Sequence, residues 1–135
     1  MEDVEAVLAL WQSAGAEPTT TDDVDGLVSL LSFDPGALLV AEDDGVIVGT
    51  VVAGWDGWRG SVYRLVVAPS VRRQGVGRKL VDEAVRRLSA RGARRLAAIV
   101  VEDDEAAVAF WSASGWTRQS ARLRYVRTIA PAAEL

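Results

Sequence analysis

The residues best suited to chemistry lie between Arg64 and Leu80. The chain there runs Leu65-Val66-Val67-Ala68-Pro69, then Arg72-Arg73-Gln74-Gly75-Val76-Gly77-Arg78-Lys79. The first part reads as a strand stopped by proline. The second places two glycines among four cations at the start of an amphipathic helix. A helix N-terminus carries unpaired N–H groups and the positive end of a dipole, so it binds phosphate. Glycine lets the backbone approach a ligand closely. Arg72, Arg73, Arg78 and Lys79 add positive charge around it. The chemistry implied is capture of an anion of the pyrophosphate type. The spacing is not that of a dinucleotide fingerprint, because Leu80 stands where a third glycine belongs. Nor is it a P-loop, since no Gly-Lys-Ser/Thr follows.

Composition narrows the rest. The 135 residues include no cysteine and no histidine. A disulfide scaffold, a Cys/His zinc site, a thiol nucleophile and a Ser-His-Asp triad are excluded, and no metal site is expected. Proton transfer is left to carboxylates, tyrosines, water and the single lysine, Lys79. The net charge of −4 hides a division. Residues 1–56 hold twelve acids and no base, whereas residues 57–135 hold seven acids and all fifteen Lys and Arg. One half can face anions and the other cations. Nucleic acid is not an expected partner, because the arginines are not interleaved with aromatics as in a stacking platform. The longest uncharged stretch is Ala106 to Thr117, twelve residues. A membrane-spanning helix needs about 20 apolar residues, so no membrane span is expected. The acidic start Met1-Glu2-Asp3 does not resemble a signal peptide, and a cytoplasmic location is expected.

The elements that must position the anion site follow from periodicity and punctuation. Val4, Val7, Leu8, Leu10 and Trp11 predict a helix over Asp3 to Ala14. Thr20 and Asp23 resemble a capping box, before a stripe of Val24, Leu27, Val28 and Leu31 that stops at Asp34-Pro35-Gly36. Ala37 to Glu42 and Val46 to Ala53 predict a hairpin around Asp43-Asp44-Gly45. Ser61 to Ala68 is a third strand. Gly75 to Arg91 is a long helix with Val76, Leu80, Val81, Ala84, Val85 and Leu88 on one face. Arg95 to Val101 reads as a strand covered on both faces. Asp103 and Asp104 open a short helix that closes at Gly115, and Trp116 to Tyr125 reads as a last hairpin. The order predicts one α/β domain over residues 1–130, with helices on both faces of a mixed sheet and a frayed tail over 131–135.

Two segments together resemble a known family. Arg72-x-x-Gly75-x-Gly77 after Leu65-Val66-Val67-Ala68-Pro69 resembles the acyl-CoA motif of the GNAT superfamily of N-acetyltransferases. Downstream, Ala106-Ala107-Val108-Ala109-Phe110-Trp111-Ser112-Ala113-Ser114-Gly115-Trp116 resembles that family's second signature helix. The resemblance implies a GNAT-type mixed, mostly antiparallel central sheet flanked by about four helices. It also implies a strand before the first helix. Here the helix begins almost at Met1, so that strand is either absent or encoded upstream.

The resemblance further implies direct transfer of acetyl from acetyl-CoA to a primary amine of a small molecule or peptide. Leu65, Val66 and Val67 would contact the pantetheine arm. The backbone amide of Val67 or Leu65 would polarise the thioester and hold the oxyanion. The pyrophosphate would sit on the N–H groups from Arg73 through Gln74, Gly75, Val76 and Gly77 to Arg78, with Arg72 beside them. Asp104 and Trp111 occupy the positions of two further cofactor contacts. Trp111 stands where the family often has a tyrosine general acid. The proton for the thiolate would then come from Tyr63, Tyr125 or water. The strand Ser61 to Val67 holds no carboxylate base, which leaves Glu102, Asp56 or ordered water. The acceptor would meet the acidic first half, with Glu17, Asp22, Asp23 or Asp25 drawing in a cation and Trp11, Trp55 and Trp58 walling a pocket. A homodimer is compatible with the family. The departures at Trp111 and at the base also fit a different class, a catalytically silent GNAT-like module that binds acyl-CoA as a sensor.

Overall fold

The computed structural model of the chain describes residues 2–130, and the expected tail at 131–135 lies outside them. The fold divides into two compact units, Met1–Ile99 and Val100–Leu135. The first holds α1 (Glu2–Ser13), α2 (Val24–Phe33), β1 (Leu38–Asp43), β2 (Val46–Trp55), β3 (Gly60–Val67), α3 (Val76–Ala90) and β4 (Leu96–Ala98). The second holds α4 (Glu105–Ala113). The sheet order is β1-β2-β3-β4. The first three strands are antiparallel, and β4 joins β3 in parallel. The expected class, a mixed and mostly antiparallel sheet with four helices, is what the chain forms.

Side-chain alternation sorts the two faces of this sheet. Val4, Val7, Leu10 and Trp11 of α1 are buried with Leu27 of α2 and Val66 of β3. The opposite face takes the stripe Leu80, Val81, Ala84 and Leu88 of α3. Gly49 is glycine because α3 crosses there. A Cβ on it would lie 3.0 Å from both Leu80 and Val76. Its neighbour Thr50 therefore faces α1, and it is fully buried.

Local chemistry sets the helix ends. Asp23 caps α2, its carboxylate accepting from the Gly26 amide at 2.7 Å. Thr20 takes no part, so the cap is a single Asp and not the expected box. At the far end Asp34 is buried and binds Arg87 and Arg91 of α3. This cluster ties the α2–β1 connection to the last turns of α3. Among the described residues, the buried Nε of Arg87 has no partner.

Three expectations need correction. β1 begins and ends one residue later than Ala37 to Glu42. β4 spans three residues where Arg95 to Val101 was expected, and Ile99 is exposed. Among the described residues β4 has β3 as its single neighbour, and their pairing ends at Val62 and Ala98, where β3 parts from it. Trp116 to Tyr125 forms no hairpin and carries neither helix nor strand. Two strands alone have no sheet face to bury within their own unit.

Removing the Asp34 carboxylate leaves the Arg87 guanidinium half-enclosed and unpaired. Asp34→Ala is expected to destabilise the fold by about 3 kcal/mol. Urea unfolding should show a lower midpoint with an unchanged slope.

Candidate active site

The site is built where β3 parts from its neighbours. On one side, β3 pairs with β4 only at Gly60, Ser61 and Val62. From Tyr63 to Val67 no strand bonds that edge among the described residues. On the other side, the register with β2 slips between Thr50 and Val52, which face Val66 and Tyr63. The extra residue makes a bulge, and Arg64 within it has a left-handed backbone with φ of 51°. A bulge re-aims the chain and interrupts pairing.

The bulge and register decide which amides are free. The Ala68 N–H donates to the Val48 carbonyl of β2 at 2.8 Å. Alternate residues of an antiparallel strand bond the same neighbour, so the Val67 N–H points away from β2, into the gap. The Val67 carbonyl on that edge accepts from Arg72 Nε at 3.3 Å. The chain then makes a 3-10 turn over Pro69–Val71 and enters α3 at Gly75. Arg73 and Gly75 both have positive φ, 67° and 80°. Alternating left- and right-handed residues turn successive amides to one side, a concavity suited to anions. No side chain caps α3. Among the described residues, the N–H groups of Arg73, Gln74, Gly75, Val76, Gly77 and Arg78 have no hydrogen-bond partner. A Cβ on Gly75 would meet nothing within 4 Å, so the space beside it is open. Arg72, Arg73, Arg78 and Lys79 are exposed around it.

A polar set anchors the bulge from the α1 side. Trp11 Nε1 donates to Thr50 Oγ1 at 2.8 Å, and Thr50 Oγ1 donates to the Arg64 carbonyl at 3.0 Å. The Arg64 guanidinium binds both carboxylate oxygens of Asp22 and the Glu17 carbonyl, and lies 5.4 Å from the Trp11 ring centre. Trp11 is thus a buried core residue that braces the strand, and it does not wall an open pocket. Asp22 is engaged by Arg64 and is not free to draw in an amine. Sequence reasoning missed Thr50. Its signal was a lone hydroxyl within the apolar run Val46 to Ala53.

The remaining candidates are spread out. Tyr63 is half-exposed and faces Gly54 across β2. With Trp55, Asp56, Phe33 and Ser61 it lines a cleft of about 260 Å³ on the α2 side of the sheet. Trp58 is exposed in the β2–β3 loop, with the Arg59 guanidinium 4.0 Å over its ring. In the second unit, the Asp104 carboxylate caps α4 by accepting from the Ala107 amide at 3.0 Å. The Trp111 ring packs edge-on against Phe110 and Trp116, at 5.6 and 4.9 Å. Tyr125 is 90% exposed in an irregular segment. Among the described residues, no cluster of carboxylates could hold a metal ion. No helix there is long and apolar enough to cross a membrane.

A strand open on one edge, a bulge and a helix start with bare amides lie along the segment Leu65 to Gly77 that carried the first half of the sequence resemblance. The family model described as the acetyltransferase (GNAT) family matches residues 4–116. The chain belongs to the GNAT acetyltransferase family. It is 36% identical over 110 residues to an acetyltransferase of Pectobacterium atrosepticum, covering 82% of this chain and 78% of the relative. It is 38% identical over 108 residues to an acetyltransferase of Photorhabdus laumondii, covering 79% and 75%. In three dimensions it resembles AAC(6')-Iy, solved with the bisubstrate analogue CoA-S-monomethyl-acetylneamine. The TM-score is 0.73 at 22% identity, covering 96% of this chain and 93% of that one. That likeness concerns the fold.

The loop before β3 has a pH signature of its own. The Asp56 carboxylate accepts from the Arg59 amide at 2.7 Å and the Trp58 amide at 2.8 Å. These bonds, that from Arg59 foremost, hold its pKa below the ordinary 3.8. A carboxyl group with a depressed folded pKa stabilises the fold above its unfolded pKa and loses that contribution as pH falls. Asp56→Ala is therefore expected to lower the urea midpoint at pH 7. The difference from the parent protein should shrink below about pH 4.

Proposed function

We propose that this GNAT protein transfers acetyl from acetyl-CoA to a primary amine, with the coenzyme lying along the free edge of β3 and its diphosphate at the start of α3. The row of unpartnered amides from Arg73 to Arg78 carries this reading. Buried or not, such donors seek acceptors, and here the cations around them favour an anion. The CoA-based analogue bound by AAC(6')-Iy supports the same coenzyme for this fold.

Bound there, acetyl-CoA supplies an activated acetyl thioester. The chain's own contributions are positional. The amides of Arg73 to Arg78, with Arg72 beside them, hold the diphosphate. The Val67 N–H, turned from β2, donates to the thioester carbonyl and stabilises negative charge as it develops there. Leu65 and Val66 line the path of the pantetheine arm. A neutral amine attacks the carbonyl carbon, the acetyl C–S bond breaks, and the thiolate leaves. The amine proton passes to water, and the departing thiolate takes a proton from water or from Tyr63, which is accessible at 50% exposure. No covalent enzyme intermediate is needed, in keeping with a chain that has no cysteine or histidine. Orientation of the two reactants supplies much of the acceleration.

Acetyl-CoA is expected to raise the thermal midpoint, since it binds the folded state alone. Thiol release with a panel of amines distinguishes turnover from silent binding. Gly75→Asp puts a negative charge beside the amides and should weaken acetyl-CoA binding by at least roughly a hundredfold. Gly75→Ala shares the positive-φ strain without the charge and should retain most of the affinity. Unaltered binding by Gly75→Asp would rule out this placement.

A further inference from the structure

Thr50 has no place in the scheme so far, although it is fully buried and both of its hydrogen bonds go to residues that matter. It accepts from the Trp11 indole and donates to the Arg64 carbonyl. That carbonyl shares one planar trans peptide unit with the Leu65 N–H, and the two point in opposite directions. Pinning the Arg64 oxygen to the Thr50 hydroxyl therefore turns the Leu65 N–H away from Thr50, on a stretch of β3 where neither β2 nor β4 pairs with Leu65 among the described residues. In a regular strand the ladder would impose this orientation. At the bulge the ladder is broken between Thr50 and Val52, and Arg64 sits in the left-handed region. Only side chains are left to set the peptide plane. Trp11 fixes the hydroxyl by filling its acceptor position, so that its proton is directed at Arg64. The Arg64 side chain, held by Asp22 and the Glu17 carbonyl, fixes the other end of the residue.

Resting on the acetyl-CoA reading above, we infer that Thr50, backed by Trp11, is a positioning residue that aims the Leu65 amide at the thioester carbonyl as a second oxyanion donor beside Val67. Thr50 touches neither coenzyme nor amine. It acts through one peptide plane.

The experiment needs no acceptor amine. Acetyl-CoA labelled with ¹³C at the acetyl carbonyl is bound to the protein, and its C=O stretch is read by isotope-edited infrared spectroscopy. Affinities for acetyl-CoA and for CoA are measured alongside. In the parent protein the stretch is expected below its free value. Thr50→Val keeps the branched shape and removes the hydroxyl. It should move the stretch back toward the free value and cut the preference for acetyl-CoA over CoA by roughly three- to tenfold, the worth of one hydrogen bond. Affinity for CoA, which has no acyl carbonyl, should not change. Thr50→Ser restores the hydroxyl and should restore the stretch.

A parent-like stretch in Thr50→Val overturns the inference. So does parallel loss of CoA affinity, which would make Thr50 a support of the whole strand. A parent protein that binds CoA without perturbing the carbonyl overturns it too, while the acetyl-CoA reading stands. A parent protein that binds neither ligand removes that reading itself. Should Thr50→Val fail to fold, Trp11→Phe, which frees the hydroxyl to rotate, decides the matter. A smaller displacement of the stretch in that variant supports the inference, and an unchanged stretch overturns it.

Discussion

Backbone hydrogen bonds that β3 does not make are the constraint on which the site depends. A central strand ordinarily spends every N–H on its two neighbours. Here pairing with β4 ends at Val62, and pairing with β2 slips at the bulge. Unpaired backbone groups are tolerated only where something else satisfies them. The chain satisfies some of them itself, through Thr50 on the Arg64 carbonyl and Arg72 on the Val67 carbonyl. Among the described residues it leaves the Val67 N–H and the amides of Arg73 to Arg78 without partners. That difference between filled and vacant positions marks out a track running from the bulge to the start of α3.

The two halves of opposite charge are also reconciled by the fold. An acidic first half and a basic second half suggest two faces for two ligands. Some of that charge instead meets within the first unit. Asp22 binds Arg64, and Asp34 binds Arg87 and Arg91. These pairs join segments more than forty residues apart and are partly shielded, so they constrain how the helices meet the sheet more than they add net stability. Around the open amides, Arg78 pairs with Asp82 at 3.2 Å, whereas Arg72, Arg73 and Lys79 form no ion pair among the described residues. The start of α3 thus keeps exposed positive charge that the described carboxylates do not all neutralise.

Much of this was legible in the sequence, and the reasons for the rest are physical. Helices α1 and α3 announce themselves by apolar spacing, and the loop from Pro69 to Gly77 by glycine and proline. Leu65, Val66, Val67 and the residues from Arg72 to Arg78 fall together on one strand, turn and helix start, as the motif required. The bulge was not legible. Nothing in Ser61 to Val67 signals an extra residue, and arginine rarely adopts positive φ. Trp11 reads equally well as a pocket wall or as core until its indole is seen to meet Thr50. Strand ends are set by partners, so the lengths of β4 and of the segment after Trp116 could not be read from local pattern.

A site of this kind inverts the usual search for catalytic residues. With no cysteine or histidine to seek, the groups that can meet a developing oxyanion are main-chain amides, and every residue has one. What distinguishes a useful amide is the direction its peptide plane faces, and that is decided by side chains elsewhere. Valine at position 50 would fill the same space and serve the β-sheet equally well, but it could not hold the Arg64 carbonyl. The information is therefore carried by a buried hydroxyl in an apolar strand and by an indole that fixes its proton. Each looks structural by itself. Their consequence emerges only when the planar geometry of the next peptide is followed to its other end.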